Sequence, residues 1–426
     1  MNSVKQFVRS ALPRPLLSVY HLTLALAGAL IYNFPSKKLF VVGVTGTKGK
    51  STTTELVRAV LEAAGHTTAI ANTIRFGIGK ESEPNLFKMT MPGRFFLQYF
   101  LHKALKAGAT HVVIEMTSEG AVQHRHVGIE LDALIFTNLS PEHIESHGSF
   151  EAYAEAKLSL AKHLEHSAKR PRYIVANADD SYGNKFLGVD AERKALFSLK
   201  DAEPYSADDR SIRFVWKRNE LFTIPLPGLF NLKNALAAIA LGEAMGVPFE
   251  KIKKGLEHIS PIPGRAERVE KGQPFAVVVD YAHTPDSLRA LLETYENKRV
   301  IGIFGAAGGG RDSWKRPEIG KIAEEMSDIA ILTNEDPYDE DPQKILLEIA
   351  KGFSKKKPHI ILERRSAIKE ALKEASTLGQ AQGNQNVVVL ITGKGTDPYI
   401  MGPGGSKEAW SDKRVAEEEL EKLGYH

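Results

Sequence analysis

The sequence predicts an α/β protein of two successive domains, each built on a largely parallel sheet. Three observations carry this reading. Short apolar runs alternate with helically spaced apolar residues along most of the chain. A glycine-rich turn joins the first such run to a helix. A cluster of proline and glycine at 261–264 separates one alternating series from a second.

The elements follow in order. Lys5, Arg9 and Arg14 precede a mostly apolar stretch at 16–34, and Lys37 and Lys38 follow it. Tyr20, His21, Thr23, Gly28 and Asn33 interrupt that stretch. A helix packed on the next domain is therefore expected there. A peripheral membrane contact and a true anchor or signal stand as alternatives. Residues 39–44 form an apolar strand, and Leu56, Val57, Val60 and Leu61 mark the helix after the glycine turn. Further strands are expected at 111–116, 131–138 and 173–176, with helices at 95–106, 150–164 and 232–245. Residues 191–225 have short β-like runs broken by polar residues, which suggests a small antiparallel patch. The second series places strands at 276–280, 299–304, 329–333, 359–362 and 387–391, with helical patterns between them. The expected segments are thus 1–38, an apolar helical segment; 39–262, a phosphate-binding domain; and 263–426, a Rossmann-like α/β domain.

The turn reads Gly43-Val44-Thr45-Gly46-Thr47-Lys48-Gly49-Lys50-Ser51-Thr52. A strand, a glycine loop, Lys-Ser and a helix make a phosphate cradle. Glycines let backbone amides converge on phosphate oxygens, and the helix N-terminus adds partial positive charge. Lys50 has the reach for a terminal phosphate, and the Ser51 hydroxyl suits Mg²⁺. Glu115 ends the strand 111–116 at the edge where such sheets bind ligands, and His143 follows another strand to the same edge. Lys157 lies on the next helix, where a lysine is ordinarily solvated, and nothing in its spacing alone singles it out.

Composition narrows the classes. Apolar residues make up 42% and charged residues 25%, as in ordinary globular chains. A net charge of +4 is small for this length and gives no argument for nucleic acid. The absence of cysteine excludes disulfides, cysteine zinc sites and thiol catalysis.

Collected in order, the motifs resemble the Mur ligase family, the ATP-dependent amide-bond-forming enzymes of peptidoglycan precursor synthesis, and most of all its tripeptide-synthetase branch. They include GVTGTKGKSTT from Gly43, EMTSEGAVQHRH from Glu115, TNLSPEHIESHGSFEAYAEAK from Thr137 and NADD from Asn177. GLFNLKNALAA from Gly228, PGRAE from Pro263, VDYAHTPDSL from Val279, FGAAGGGRDSWKRP from Phe304 and GKGTD from Gly393 complete the series.

The resemblance implies roles. Gly46, Thr47, Gly49, Lys50, Ser51 and Thr52 would cradle the ATP phosphates. Two Mg²⁺ ions would be held by Ser51, Glu115, His143 and a carbamylated Lys157. Asn231 and Asn234 would flank the adenine. Arg265, Asp280 and His283 would close on ATP from the second domain. Arg125 would grip the acceptor carboxylate, and Ser118, Asp336, Lys394 and Asp397 would contribute to substrate binding. A substrate carboxylate would take the γ-phosphoryl group of ATP, and an amino acid would then displace phosphate. The expected partners are a muramyl-peptide or similar carboxylate acceptor and an amino acid, with no nucleic acid. The setting would be cytoplasmic cell-wall synthesis, tied to cell shape and division, with membrane association through 16–34 as an addition.

Departures from the family pattern shape the expectations. About forty residues precede the phosphate loop, too few for the family's nucleotide-sugar-binding domain. Where diaminopimelate-adding members carry Asp-Asn-Pro-Arg, this chain has Glu335-Asp336-Pro337-Tyr338. With Tyr for Arg, Asp336 and Asp397 would favour an amino acid with a distal ammonium, such as lysine. If diaminopimelate is used instead, Arg311 or Lys394 would replace the missing cation. Glu119 stands where the family has His. Competing readings are a folylpolyglutamate synthase-like or other poly-amino-acid ligase, a relative acting on lipid-linked precursors, and a non-catalytic ATP-binding regulator at the membrane.

Overall fold

The computed structural model describes residues 14–142, 144–217, 220–382 and 386–426. The chain divides into two compact units, Met1–Ala202 with Lys233–Glu257, and Glu203–Leu232 with His258–His426.

The first unit is built on an eight-stranded sheet. Its strands are β1 (Phe40–Thr45), β2 (Thr68–Ala71), β3 (Arg75–Ile78), β4 (Glu81–Pro84), β5 (His111–Glu115), β6 (Ala133–Phe136), β7 (Tyr173–Asn177) and β8 (Arg193–Phe197). They lie in the order β4-β3-β2-β5-β1-β6-β7-β8. The pairs from β2 to β8 are parallel, while β3 and β4 add an antiparallel margin. β1 is central because its residues are apolar on both faces, and all but Phe40 are buried. The chain leaves β1 toward β2 on one side of the sheet and passes from β5 to β6 on the other, so the carboxyl end of β1 is a topological switch point, where such sheets bind ligands. The register places Val44 beside Glu115 and Thr45 beside Phe136.

The helix Lys50–Ala63 follows β1 and buries Leu56, Val57, Val60 and Leu61. The expected N-terminal helix spans Arg14–Ile31 and packs on the helix Arg94–Lys106, where Tyr32 meets Tyr99 and His102 at ring distances of 5.9 and 5.6 Å. Among the described residues no helix is long and apolar enough to cross a membrane.

The second unit holds a six-stranded sheet made of β12 (Glu267–Arg268), β13 (Ala276–Val279), β14 (Arg299–Phe304), β15 (Ile329–Leu332), β16 (His359–Ile360) and β17 (Val387–Ile391). Its order is β12-β13-β17-β14-β15-β16, with β12 antiparallel and the rest parallel. Alternate residues face opposite layers. Val278, Val300, Leu332, Val388 and Leu390 pack against one set of helices, and Val277, Ile301, Ile331, Val389 and Ile391 against another. The expected antiparallel patch is β9 (Tyr205–Ala207), β10 (Ile212–Trp216) and β11 (Glu220–Ile224), a separate sheet in this unit. Its expected start at 191 needs correcting. Residues 193–197 are β8, a parallel edge strand whose exposed Arg193 and Lys194 gave it a polar pattern.

One buried ion pair ties this unit together. Arg364 donates to both carboxylate oxygens of Asp412, each at 2.7 Å, and to the carbonyl of Thr392. Both residues are almost wholly buried. Arg364→Met removes the cation and strands the carboxylate, so it is expected to cost about 3–5 kcal/mol. Urea unfolding checks this: the midpoint falls while the slope of the transition stays unchanged.

Candidate active site

The loop leaving β1 gets its shape from neighbours as well as from its glycines. Gly46 has φ 147° and Gly49 has φ 79°. A Cβ at Gly46 would lie 2.0 Å from Thr137 Oγ1, and one at Gly49 would lie 2.1 Å from Asn234 Oδ1. Side chains are excluded at both positions by sterics and by backbone conformation. Asn138, just past β6, clamps the loop. Its carbonyl accepts from Thr47 N at 2.8 Å, its Oδ1 from Lys48 N at 2.9 Å, and its Nδ2 donates to Lys48 O at 3.0 Å. Thr137 Oγ1 also donates to Lys48 O, at 2.7 Å. The helix Lys50–Ala63 starts at Gly49 with no side-chain cap. That leaves an N-terminus suited to an anion.

Around this loop stand the polar groups named by the sequence. Ser51 Oγ donates to Glu115 Oε2 at 2.8 Å, and the same oxygen accepts from Thr73 N at 2.9 Å. Ser51, Thr52 and Glu115 are buried. Lys50 Nζ donates to Thr47 O at 2.9 Å. Lys157 is buried to 2% exposure, donates from Nζ to Gly46 O at 2.6 Å, and lies over the Tyr153 ring. Burial first, then the positive charges of Lys50 and Lys48, hold the Lys157 ammonium well below the usual lysine range, against the pull of Glu142 and Glu115. Lys157 is thus brought to the loop that the helix pattern alone did not predict. His143 lies outside the described residues. Among the described residues no three His, Asp or Glu side chains form a metal-ligating cluster, so the acidic donor beside Ser51 is Glu115.

Arg125 is buried beside the chain that precedes the helix Arg94–Lys106, donating to the Met91 carbonyl and to Gln123 Oε1. Ser118 Oγ pairs with His147 Nε2 at 3.1 Å. Burial lowers the His147 pKa, reinforced by Lys157 and opposed by Glu119. Asn234 Oδ1 accepts from Thr53 Oγ1 at 3.4 Å.

Asn231 Nδ2 donates to Pro227 O at 2.7 Å. Asp280 accepts from the amides of Ala266 and Ala282, both at 2.6 Å, while burial raises its carboxyl pKa. Arg265 lies 4.5 Å from the Tyr281 ring centroid, and His283 Nδ1 bonds Tyr281 O at 2.7 Å. Lys394 is buried. Its ammonium donates to Asp336 Oδ1 at 2.8 Å, Asp397 Oδ2 at 3.1 Å and Tyr399 O at 2.5 Å. The two acids expected to receive a substrate ammonium already hold one from the protein. Nearby, Arg311 donates to Tyr338 OH at 3.0 Å, with its guanidinium 5.3 Å from that ring.

Residue reading missed Asn138, Tyr153 and Glu142. Tyr153 OH bonds Thr47 Oγ1 at 2.9 Å, and buried Glu142 pairs with Lys48 at 3.0 Å. All three lie within the stretch beginning at Thr137, where the family resemblance drew attention to His143 and Lys157 instead. Gly49→Ala is expected to raise the Kd for ATP at least tenfold, since the new methyl must displace Asn234; isothermal titration checks this.

Comparison with known proteins agrees with this geometry. Residues 44–242 match the Mur ligase middle domain, and 264–395 match the Mur ligase glutamate ligase domain. A relative from Syntrophomonas wolfei, "UDP-N-acetylmuramoyl-L-alanyl-D-glutamate--2,6-diaminopimelate ligase", is 35% identical over 93% of this chain and 81% of its own. A "UDP-N-acetylmuramyl-tripeptide synthetase" from Roseiflexus is 36% identical over 97% of this chain and 85% of its own. The fold is also that of Mycobacterium tuberculosis folylpolyglutamate synthase, at TM-score 0.72 and 17% identity over 88% of this chain and 93% of that one. The chain belongs to the Mur ligase family, ATP-dependent ligases that add amino acids to muramyl peptides.

Proposed function

We propose that the protein joins an amino acid to the carboxylate of a muramyl peptide by way of an acyl phosphate, releasing ADP and phosphate. The observation that carries the reading is the amine of Lys157, buried at the Gly46 carbonyl beside the phosphate loop. Burial lowers the pKa of that amine and so favours the neutral form, the one that attacks CO₂, because an ammonium has no lone pair. The product, a carbamate, replaces a cation with an oxygen anion suited to Mg²⁺. Ser51, Glu115, His143 and the carbamylated Lys157 would hold two Mg²⁺ ions. When bound, these offset repulsion between a carboxylate and a triphosphate.

The chain's own residues do the rest. Amides of the loop and of the helix start at Gly49 bind the phosphates, and Lys50 moves from Thr47 O to the γ-phosphate. Asn138 keeps the loop from reorganising during transfer. By family resemblance, Asn231 and Asn234 take the adenine side, and Arg265, Asp280 and His283 also serve ATP. Asp280 acts by shaping the backbone at Ala266 and Ala282. Arg125 and Ser118 serve the acceptor. Because the reaction uses ATP, we place the protein in the cytoplasm.

For the incoming amino acid we favour a distal carboxylate, as in diaminopimelate. Two observations support this: Lys394 occupies Asp336 and Asp397, and Arg311 is braced by Tyr338. Arg311 is then the cation that substitutes for the family's missing Arg. A folate-type acceptor is the second reading, since the folylpolyglutamate synthase fold is shared. Phosphate release with a UDP-linked muramyl dipeptide against a folate separates the two. Turnover with folate alone would sink the muramyl reading.

Lys157→Ala is expected to lower kcat at least a thousandfold with the fold intact, and a short carboxylic acid is expected to restore part of it. Full activity in the alanine variant would remove Lys157 from the mechanism. Arg311→Ala is expected to raise KM for diaminopimelate at least tenfold, with a smaller effect on lysine. A product-formation assay with both amino acids in competition reads this, and preference for lysine in the unaltered protein would refute it.

A further inference from the structure

The helix Arg14–Ile31 turns its larger apolar side chains outward. Leu16, Val19, Tyr20, Leu26, Leu30 and Ile31 are all exposed, the last two to 66% and 67%. Steps of three and four residues put them in one stripe, reversing the usual pattern of a helix on a globular protein. The inward face is made of His21 and small residues. Ala25, Gly28 and Ala29 are buried, and Ala29 comes so near Gly128 that a Cβ there would lie 2.6 Å from its methyl. The orientation is pinned as well. Ser18 Oγ pairs with His124 Nε2 at 2.7 Å, and Ser36 Oγ accepts from Glu130 N at 3.0 Å just past the helix.

Charge around the helix has one sign. No Asp or Glu occurs before Glu55, while Lys5, Arg9, Arg14, Lys37 and Lys38 bracket the helix. The helix packed against it, Arg94–Lys106, has no acid either and carries Lys103 and Lys106 in its last turn. It exposes Tyr99, which touches Tyr32. The acids that approach these lysines do so weakly and at the surface: Glu130 is 3.7 Å from Lys37 and Glu83 is 3.8 Å from Lys103.

We propose that this face docks on an anionic bilayer, with the helix lying in the membrane plane and its exposed stripe among the acyl chains. An interfacial helix needs an apolar face and flanking cations, and both are present. A second copy of the chain would instead bring two sets of the same cations together, offset only by the surface acids Glu83 and Glu130. The helix is not long and apolar enough to cross the membrane. The inference goes beyond the ligase chemistry and does not depend on it.

Co-sedimentation of the full chain with phosphatidylglycerol vesicles tests this, with phosphatidylcholine vesicles as control. The expected result is binding to the anionic vesicles alone, weakened by salt. Leu30→Glu combined with Ile31→Glu should abolish it. Lys37→Gln combined with Lys38→Gln should weaken it on the order of tenfold. Both variants should keep the thermal melt of the unaltered protein. Absence of binding to phosphatidylglycerol at low salt overturns the proposal, as does undiminished binding by the glutamate variant. An oligomer in sedimentation that the same glutamates dissociate also overturns it, by assigning the face to a second copy.

Discussion

The clamp that Asn138 places on the loop after β1 is the constraint on which the rest of the first unit depends. Three hydrogen bonds from one residue fix the backbone at Thr47 and Lys48. With the loop fixed, the Gly46 carbonyl has one direction, and Lys157 finds it. The helix N-terminus at Gly49 has one direction as well, set by contact with Asn234. A backbone that is already ordered gives up little conformational freedom when phosphate arrives. The parallel sheet makes this economical: β6 ends beside β1, so a residue just beyond one strand reaches the loop leaving the other.

Electrostatics around the loop are close to balanced without ligand. Lys48 is matched by Glu142, and Glu115 receives hydrogen bonds from Ser51 and Thr73. Lys157 donates to the Gly46 carbonyl, and burial holds its pKa well below the usual lysine range. A buried amine in that condition is a chemical handle, because proton loss exposes the lone pair that an ordinary surface lysine keeps protonated. The second unit solves the same problem differently. Lys394 is buried and held by two carboxylates and a carbonyl.

Much of this was legible in the residues. Strands β1, β5, β14 and β17 are uniformly apolar runs with clear ends, and their positions follow from that pattern. β8 did not, because an edge strand with one solvated side carries Arg193 and Lys194 and resembles a loop. β2 to β4 were missed because four-residue strands leave too few positions for a period of two to register. Ser51 and Lys50 were readable from the loop itself, since their chemistry is local. Lys157 was not. Its significance lies in a contact across 111 residues, and only the family resemblance pointed to it. At Asp336 and Asp397 the charge was legible, while their shared contact with Lys394 was not, because Asp336 meets it from far along the chain.

That internal ion cluster limits how this pocket can diverge. Lys394 bridges Asp336 and Asp397, so replacing Lys394 leaves two carboxylates side by side without their cation. Single-step drift toward an amino acid of the opposite side-chain charge is therefore blocked by stability before selectivity is reached. Paired changes are required, and their effects on folding would be strongly non-additive. Arg311 and Tyr338 make a contact of their own that holds no carboxylate. Variation in substrate choice among close descendants of this chain should accordingly accumulate at 311 and 338, while 336, 394 and 397 change together or not at all.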